Sequence, residues 1–226
     1  MILFVDTADL NEIECWLEAG VGDGVTTNPT LLKKAGFTEP VEAWKKIIGL
    51  IQKYSGDSLP LSVEVFKDNP EGMVEQAKEF VSVLGYAGTT VKIPIQALDG
   101  GDRLRVIRVL SDEGIAVNCT ACMHWFQAFC AAKAGARYVS LLYRRSVDSG
   151  LDGKDMIRRT RALLDEHDLG AKIIAGSIRQ AQDVLDVYEA GAHVITVPPQ
   201  FFPQLLHQQK SVETQRQFLI DAGVQV

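Results

Sequence analysis

The chain has 226 residues, 46 % apolar and 23 % charged, enough for one well-filled core and ordinary for a folded protein. A net charge of −6 offers no basic excess to neutralise a phosphate backbone, so nucleic acid is not an expected partner. No apolar run approaches the ~20 residues of a membrane span, the first residues lack a signal peptide's basic n-region, and Cys15, Cys119, Cys122 and Cys130 form no disulfide framework, so a reducing cytoplasm is expected.

Along the chain, short Val- and Ile-rich runs alternate with longer stretches of helical period. The first strand, 2–6, ends in Asp6 and precedes a helix over 9–19. The second, 24–27, runs into Thr27 and Asn28 ahead of a helix over 41–54. The third, 62–65, carries Glu64, with a helix over 70–84. The fourth, 90–93, carries Lys92, with a helix over 102–112. The fifth, 116–119, brings Asn118 and leads to Thr120, with a helix over 123–134. The sixth, 138–142, holds Ser140 and is followed by Arg144 and Arg145, then a helix over 154–166. The seventh, 172–175, is followed by Ser177 and Arg179, with a helix over 181–190. The eighth, 193–197, precedes a helix over 203–209, and a last helix over 212–221 lies beyond the repeat.

Eight strand–helix units without consecutive strands imply a parallel sheet, and strands that are nearly continuous apolar runs imply burial on both faces. Closure fits all eight into one domain. The expected fold is an α/β protein: a single (β/α)8 TIM barrel over 1–226 with an extra C-terminal helix. An open doubly wound sheet is the runner-up, and no G-x-G-x-x-G after the first strand supports it. Gly114, Gly135 and Gly191 each stand between a helix and a strand, where a left-handed C-cap suits glycine.

Catalytic groups of a parallel barrel sit at the C-terminal ends of its strands, which selects the polar residues above. Lys92 admits two readings. It is a strand-end lysine that snorkels or pairs with an acid, or it is a dry amine that condenses with a carbonyl to form an imine. Asp6 and Glu64 at neighbouring strand ends would supply the two carboxylates that C–C cleavage through an imine needs, one for the hydroxyl proton and one for water. Ser177 and Arg179 open a helix where this fold commonly binds phosphate, or else are a plain N-cap and a solvated first-turn cation. Cys119-x-x-Cys122-x-His124 superficially has zinc spacing, but no second Cys/His pair completes four ligands, so no metal is expected. Trp125, Phe126 and Phe129 suit the packing face of a helix.

Phe4-Val5-Asp6-Thr7-Ala8-Asp9, Gly24-Val25-Thr26-Thr27-Asn28-Pro29-Thr30, Ser62-Val63-Glu64-Val65 and Val91-Lys92-Ile93-Pro94 resemble the transaldolase family, in family order. So do Asn118-x-Thr120, the segment from Ser140 to Arg145, and Ala175-Gly176-Ser177-Ile178-Arg179. The length matches the short-chain branch, which includes fructose-6-phosphate aldolases. The resemblance implies a Schiff-base enzyme with Lys92 as the imine lysine and Asp6 acting on the C4 hydroxyl. Glu64 and Thr120 would hold a water. Asn28, Asn118 and Ser140, with Thr27 beside them, would bind a dihydroxyacetone unit, and Arg145, Ser177 and Arg179 a distal phosphate. No cofactor is implied. The expected partner is a small sugar with an anionic tail, and the expected assembly is a homo-oligomer, a pentamer or decamer, in which the terminal helix (about 211–223) packs on a neighbouring subunit.

Glu64, where the aldolases of this branch carry Gln, and Leu142, where they carry Tyr in the segment, point to transfer rather than release of dihydroxyacetone. Two segments depart from the family pattern. Ser140-Leu141-Leu142-Tyr143-Arg144-Arg145 replaces Ser-Pro-Phe-x-Gly-Arg, and Ala121-Cys122-Met123-His124-Trp125 replaces bulky aliphatics and Phe. Arg144 as an extra cation, with His124 and Trp125 as lid residues, opens the alternative of a sulfonated ketose, 6-deoxy-6-sulfofructose, in place of fructose 6-phosphate or sedoheptulose 7-phosphate. A non-catalytic barrel scaffold is a remote third reading, because the mechanistic residues are all present.

Overall fold

A computed structural model describes residues 1–225; Val226, the last residue of the expected domain, lies outside the described residues. The chain begins with β1 (Ile2–Asp6), α1 (Leu10–Glu18), β2 (Val25–Thr26), α2 (Pro29–Lys34) and α3 (Pro40–Ser55). It continues through β3 (Leu61–Glu64), α4 (Pro70–Leu84), β4 (Thr89–Pro94), α5 (Leu104–Asp112), β5 (Val117–Cys122) and α6 (Trp125–Lys133). Then come β6 (Tyr138–Leu142), α7 (Tyr143–Asp148), α8 (Gly153–Glu166), β7 (Lys172–Gly176), α9 (Ala181–Glu189), β8 (Val194–Val197), α10 (Phe202–Leu206) and α11 (Gln209–Asp221). The eight strands pair in parallel, each with its neighbour in sequence, and β8 closes on β1: the expected barrel, with α11 as the additional C-terminal helix.

Strand alternation splits the apolar residues into two cores. Outward-facing Val25, Val63, Ile93, Val139 and Ile195 pack against the helices. Inside, Phe4, Tyr138, Ile174 and Val194 fill the lower lumen as a separate cluster, and the Phe4 and Tyr138 rings meet edge to face at 6.1 Å. Gly24 belongs to this floor. A Cβ there would stand 2.6 Å from the Phe4 ring, so only glycine lets β2 pass the aromatic. Gly114, Gly135 and Gly191 have φ of 78°, 103° and 96°, the left-handed stops expected of them.

Two short helices escape periodicity, which needs about 11 residues to register. α2 starts on Asn28 as N-cap with Pro29 in its first turn, and α7 follows β6 without a loop. β5 runs three residues beyond the expected 116–119, through a register shift between Cys119 and Cys122 and a left-handed Ala121 at φ 58°. The helix expected over 203–209 is shorter, because the chain extends at His207 before α11 begins. α11 buries none of its residues and leaves Val212, Phe218 and Ile220 exposed. Among the described residues no helix is long and apolar enough to cross a membrane.

Candidate active site

Ladder register brings the central groups together. Glu64 on β3 stands opposite Lys92 on β4, and Lys92 opposite Asn118 on β5, so three lumen-facing side chains lie abreast. Above the apolar floor they line a cavity of about 460 Å³ that Asp6, Thr120 and Ser140 also line. Lys92 is 8 % exposed. Its Nζ donates to the Thr27 carbonyl at 3.0 Å and lies 3.2 Å from Glu64 Oε2. A buried cation needs partners of this kind, and here one of them is a carboxylate able to take a proton.

Asp6 stands across the cavity. Burial pushes its carboxyl above the ordinary 3.8, against the hydrogen bond from Thr26 and the charge of Lys92, which both pull it down. Thr26 Oγ1 donates to Asp6 Oδ1 at 2.7 Å, so its single proton is used, and Thr196, 2.5 Å away, donates to Thr26 in turn. Asn118 is fixed from both sides. Ser140 Oγ donates to its Oδ1 at 2.7 Å, and its Nδ2 donates to Ser62 Oγ at 3.2 Å. Asn28 lines the cavity while its Oδ1 accepts the Leu31 amide at 3.0 Å, which leaves its NH2 as the donor for a ligand.

The other end of the cavity is built from loops and a short helix. Arg145 on α7 and Ser177 after β7 line the cavity. Ser177 has φ 60°, a left-handed geometry that costs a non-glycine residue about 1 kcal/mol or more. Three of the expected binding residues, and the two expected lid residues, sit elsewhere. Thr27 turns its side chain outward, donating to the Ser62 carbonyl at 2.9 Å and accepting from Trp44 Nε1 at 3.0 Å; only its carbonyl meets Lys92. Arg144 leaves the cavity for the fully buried Asp183, which its Nε and Nη2 both engage. Arg179 pairs with Asp148 on α7. His124 caps α6, accepting the Phe126 amide at 3.2 Å, and neither His124 nor Trp125 lines the cavity.

Ser62, Thr26 and Thr196 form a supporting ring; Thr26 and Thr196 are polar strand-end residues, and Ser62 is the one that strand-end position does not select. Alternation was the available signal: Ser62 is two residues before Glu64 and shares its face. Cys119 and Cys122 lie in the outer core, both fully buried, with sulfurs 3.7 Å apart. The neighbouring sulfur and burial hold the Cys119 thiol well above its usual range. Among the described residues no cluster of three His, Cys, Asp or Glu is placed to hold a metal.

Residues 3–224 match the family model described as transaldolase/fructose-6-phosphate aldolase. A probable transaldolase of Novosphingobium aromaticivorans is 39 % identical over 199 residues, 88 % of this chain and 86 % of that protein. Probable transaldolases of Coprothermobacter proteolyticus and Thermoplasma volcanium are 38 % and 37 % identical, covering 98 % of this chain and 96 % and 95 % of theirs. Among solved structures, thiamine phosphate pyrophosphorylase from Pyrococcus furiosus shares the fold alone, with a TM-score of 0.57 and 15 % identity over 87 % of this chain and 85 % of that one. With a family model matched along nearly its whole length and full-length relatives above a third identical, the chain belongs to the transaldolase/fructose-6-phosphate aldolase family.

Proposed function

We propose that the protein is a transaldolase that carries a dihydroxyacetone unit as an imine on Lys92, from a ketose phosphate to an aldehyde acceptor. The observation that carries this reading is the amine of Lys92, buried in the lumen 3.2 Å from Glu64 and sharing its cavity with Asp6. Glu64 takes the proton that the ammonium must lose before its nitrogen can add to the ketone. The carbinolamine then loses water to give the protonated imine. Asp6 accepts the C4 hydroxyl proton as the C3–C4 bond breaks, and the bonding pair moves into the imine to give an enamine. The first aldehyde leaves. The enamine carbon then adds to the acceptor's carbonyl, Asp6 returns its proton to the new alkoxide, and water, held by Glu64 and Thr120, releases the new ketose. Asn28, Asn118 and Ser140 supply polar groups for the hydroxyls of the three-carbon unit, and no step draws on a metal or organic cofactor.

Arg145 and Ser177 line the end of the cavity that suits an anionic tail. The sulfonated ketose drew its support from Arg144, His124 and Trp125; the guanidinium is engaged by Asp183 and neither ring lines the cavity, which favours the phosphate ester as donor. The exposed apolar side chains of α11 support a homo-oligomer in which this helix packs on a second copy of the chain.

Borohydride reduction during incubation with fructose 6-phosphate or 6-deoxy-6-sulfofructose, each with and without an aldehyde acceptor, tests the reading. The expected product is a reduced dihydroxyacetone adduct on Lys92, seen by mass spectrometry, with faster turnover of the phosphate ester and little free dihydroxyacetone. No adduct on Lys92 from either donor sinks the proposal. Rapid release of dihydroxyacetone without acceptor makes the enzyme an aldolase.

A further inference from the structure

Two ion pairs cross between the segments that carry Arg145 and Ser177. On α7, Arg144 and Asp148 are four residues apart; after β7, Arg179 and Asp183 are four residues apart. The pairing is reciprocal: Arg144 reaches Asp183, and Arg179 reaches Asp148. Tyr143 at the head of α7 adds a hydrogen bond to Asp186 at 3.1 Å.

The two pairs are unequal. Arg179 and Asp148 are about half exposed, and pairs of that kind hold little. Asp183 is fully buried, and its Oδ2 alone gathers three donors: the Arg179 amide at 2.9 Å, the Gln180 amide at 3.2 Å and Arg144 Nε at 3.2 Å. Those amides belong to the residues that follow Ser177 and Ile178, so one carboxylate pins the strained turn in which Ser177 sits. The same carboxylate holds Arg144, the residue directly before Arg145. It also takes the third helical position of α9 in a capping box with Gln180.

We infer that Asp183 is the positioning residue of the tail subsite: clasped by Arg144, it sets the spacing between Arg145 and Ser177 and so governs affinity for a substrate's terminal anion without touching the substrate. This rests on the imine reading above and adds what determines affinity for the tail. Charge-assisted bonds from fixed donors discriminate an anion only while their spacing is held, so loosening the clasp must act on tail binding and leave the lysine end alone.

Asp183→Asn keeps an acceptor for the two amides and removes the charge that holds Arg144. Its KM for fructose 6-phosphate is expected to rise about tenfold, equivalent to about 1.4 kcal/mol, with kcat within about twofold. Borohydride trapping of dihydroxyacetone itself, which has no tail, is expected to match wild type. Asp148→Asn is expected to change neither. Where Asp183→Asn fails to fold by circular dichroism, Arg144→Gln replaces it, with a KM rise of about threefold expected. An unchanged KM in the folded variant overturns the inference, and so does an equal loss of dihydroxyacetone trapping, which marks a general structural defect. A wild-type protein that traps dihydroxyacetone but has the same KM for fructose and fructose 6-phosphate also overturns it, while leaving the imine reading intact.

Discussion

Glu64, Lys92 and Asn118 reach the cavity from facing register positions on three adjacent strands, whereas Arg145 and Ser177 reach it from a six-residue helix and a loop. At the lysine end, a side chain's direction follows from strand alternation and ladder register, both fixed once the barrel closes. At the tail end, direction depends on which carboxylate captures which arginine. Two adjacent arginines make the contrast plain: Arg145 lines the cavity, and Arg144 is drawn into the protein by Asp183. On the proposed function, the lysine end is held by the barrel's own register, and the tail end is where one or two charge substitutions would redirect specificity.

The largest effect that would test this contrast lies at the lysine. Lys92→Met is expected to abolish borohydride trapping and to lower kcat/KM by about 10⁴-fold or more, with the fold retained by circular dichroism. Substantial residual turnover would remove the lysine from the chemistry. At the other end, Arg145→Ala removes a charge-assisted contact to the tail. It should raise KM for a phosphorylated ketose by about tenfold to a hundredfold while sparing kcat and dihydroxyacetone trapping. A fall in kcat as large as that in kcat/KM would show that the two ends are coupled in the transition state.

The smallest effect is a shift in pH dependence. Burial raises the Asp6 carboxyl above 3.8 and the Thr26 hydroxyl opposes this by donating to the charged form, so Thr26→Val must raise it further. The acid limb of kcat/KM, which reports the base in the free enzyme, is expected to move to higher pH, with the rate on the plateau nearly unchanged. A limb that moves to lower pH, or not at all, would separate Asp6 from the proton transfer.

The barrel was legible because strand and helix periods alternate eight times, and the positions of Asp6, Glu64, Lys92 and Asn118 were legible because strand ends define the mouth. Ser62 was accessible to the same reasoning, two residues before Glu64 on the same face, but a lone serine in an apolar strand gives no chemical signal by itself. Thr27 follows lumen-facing Thr26, so alternation turns its side chain outward, where Trp44 meets it. Arg144 and Arg179 were different: they lie beyond the strand ends, and their direction is decided by partners distant in sequence, Asp183 for Arg144 and Asp148 for Arg179. α2 and α7 fell below the length at which an apolar stripe can repeat, so the helices carrying Asn28 and Arg145 into place left no periodic trace.

Phe4, Tyr138, Ile174 and Val194 close the lumen beneath the reacting groups, and Gly24 is shaped to let them do so. A vessel stoppered at its base has a single doorway. On the proposed transfer, the departing and incoming aldehydes therefore use the same passage in turn, in keeping with the ping-pong order that a covalent enamine requires, and each sugar competes for the other's route in.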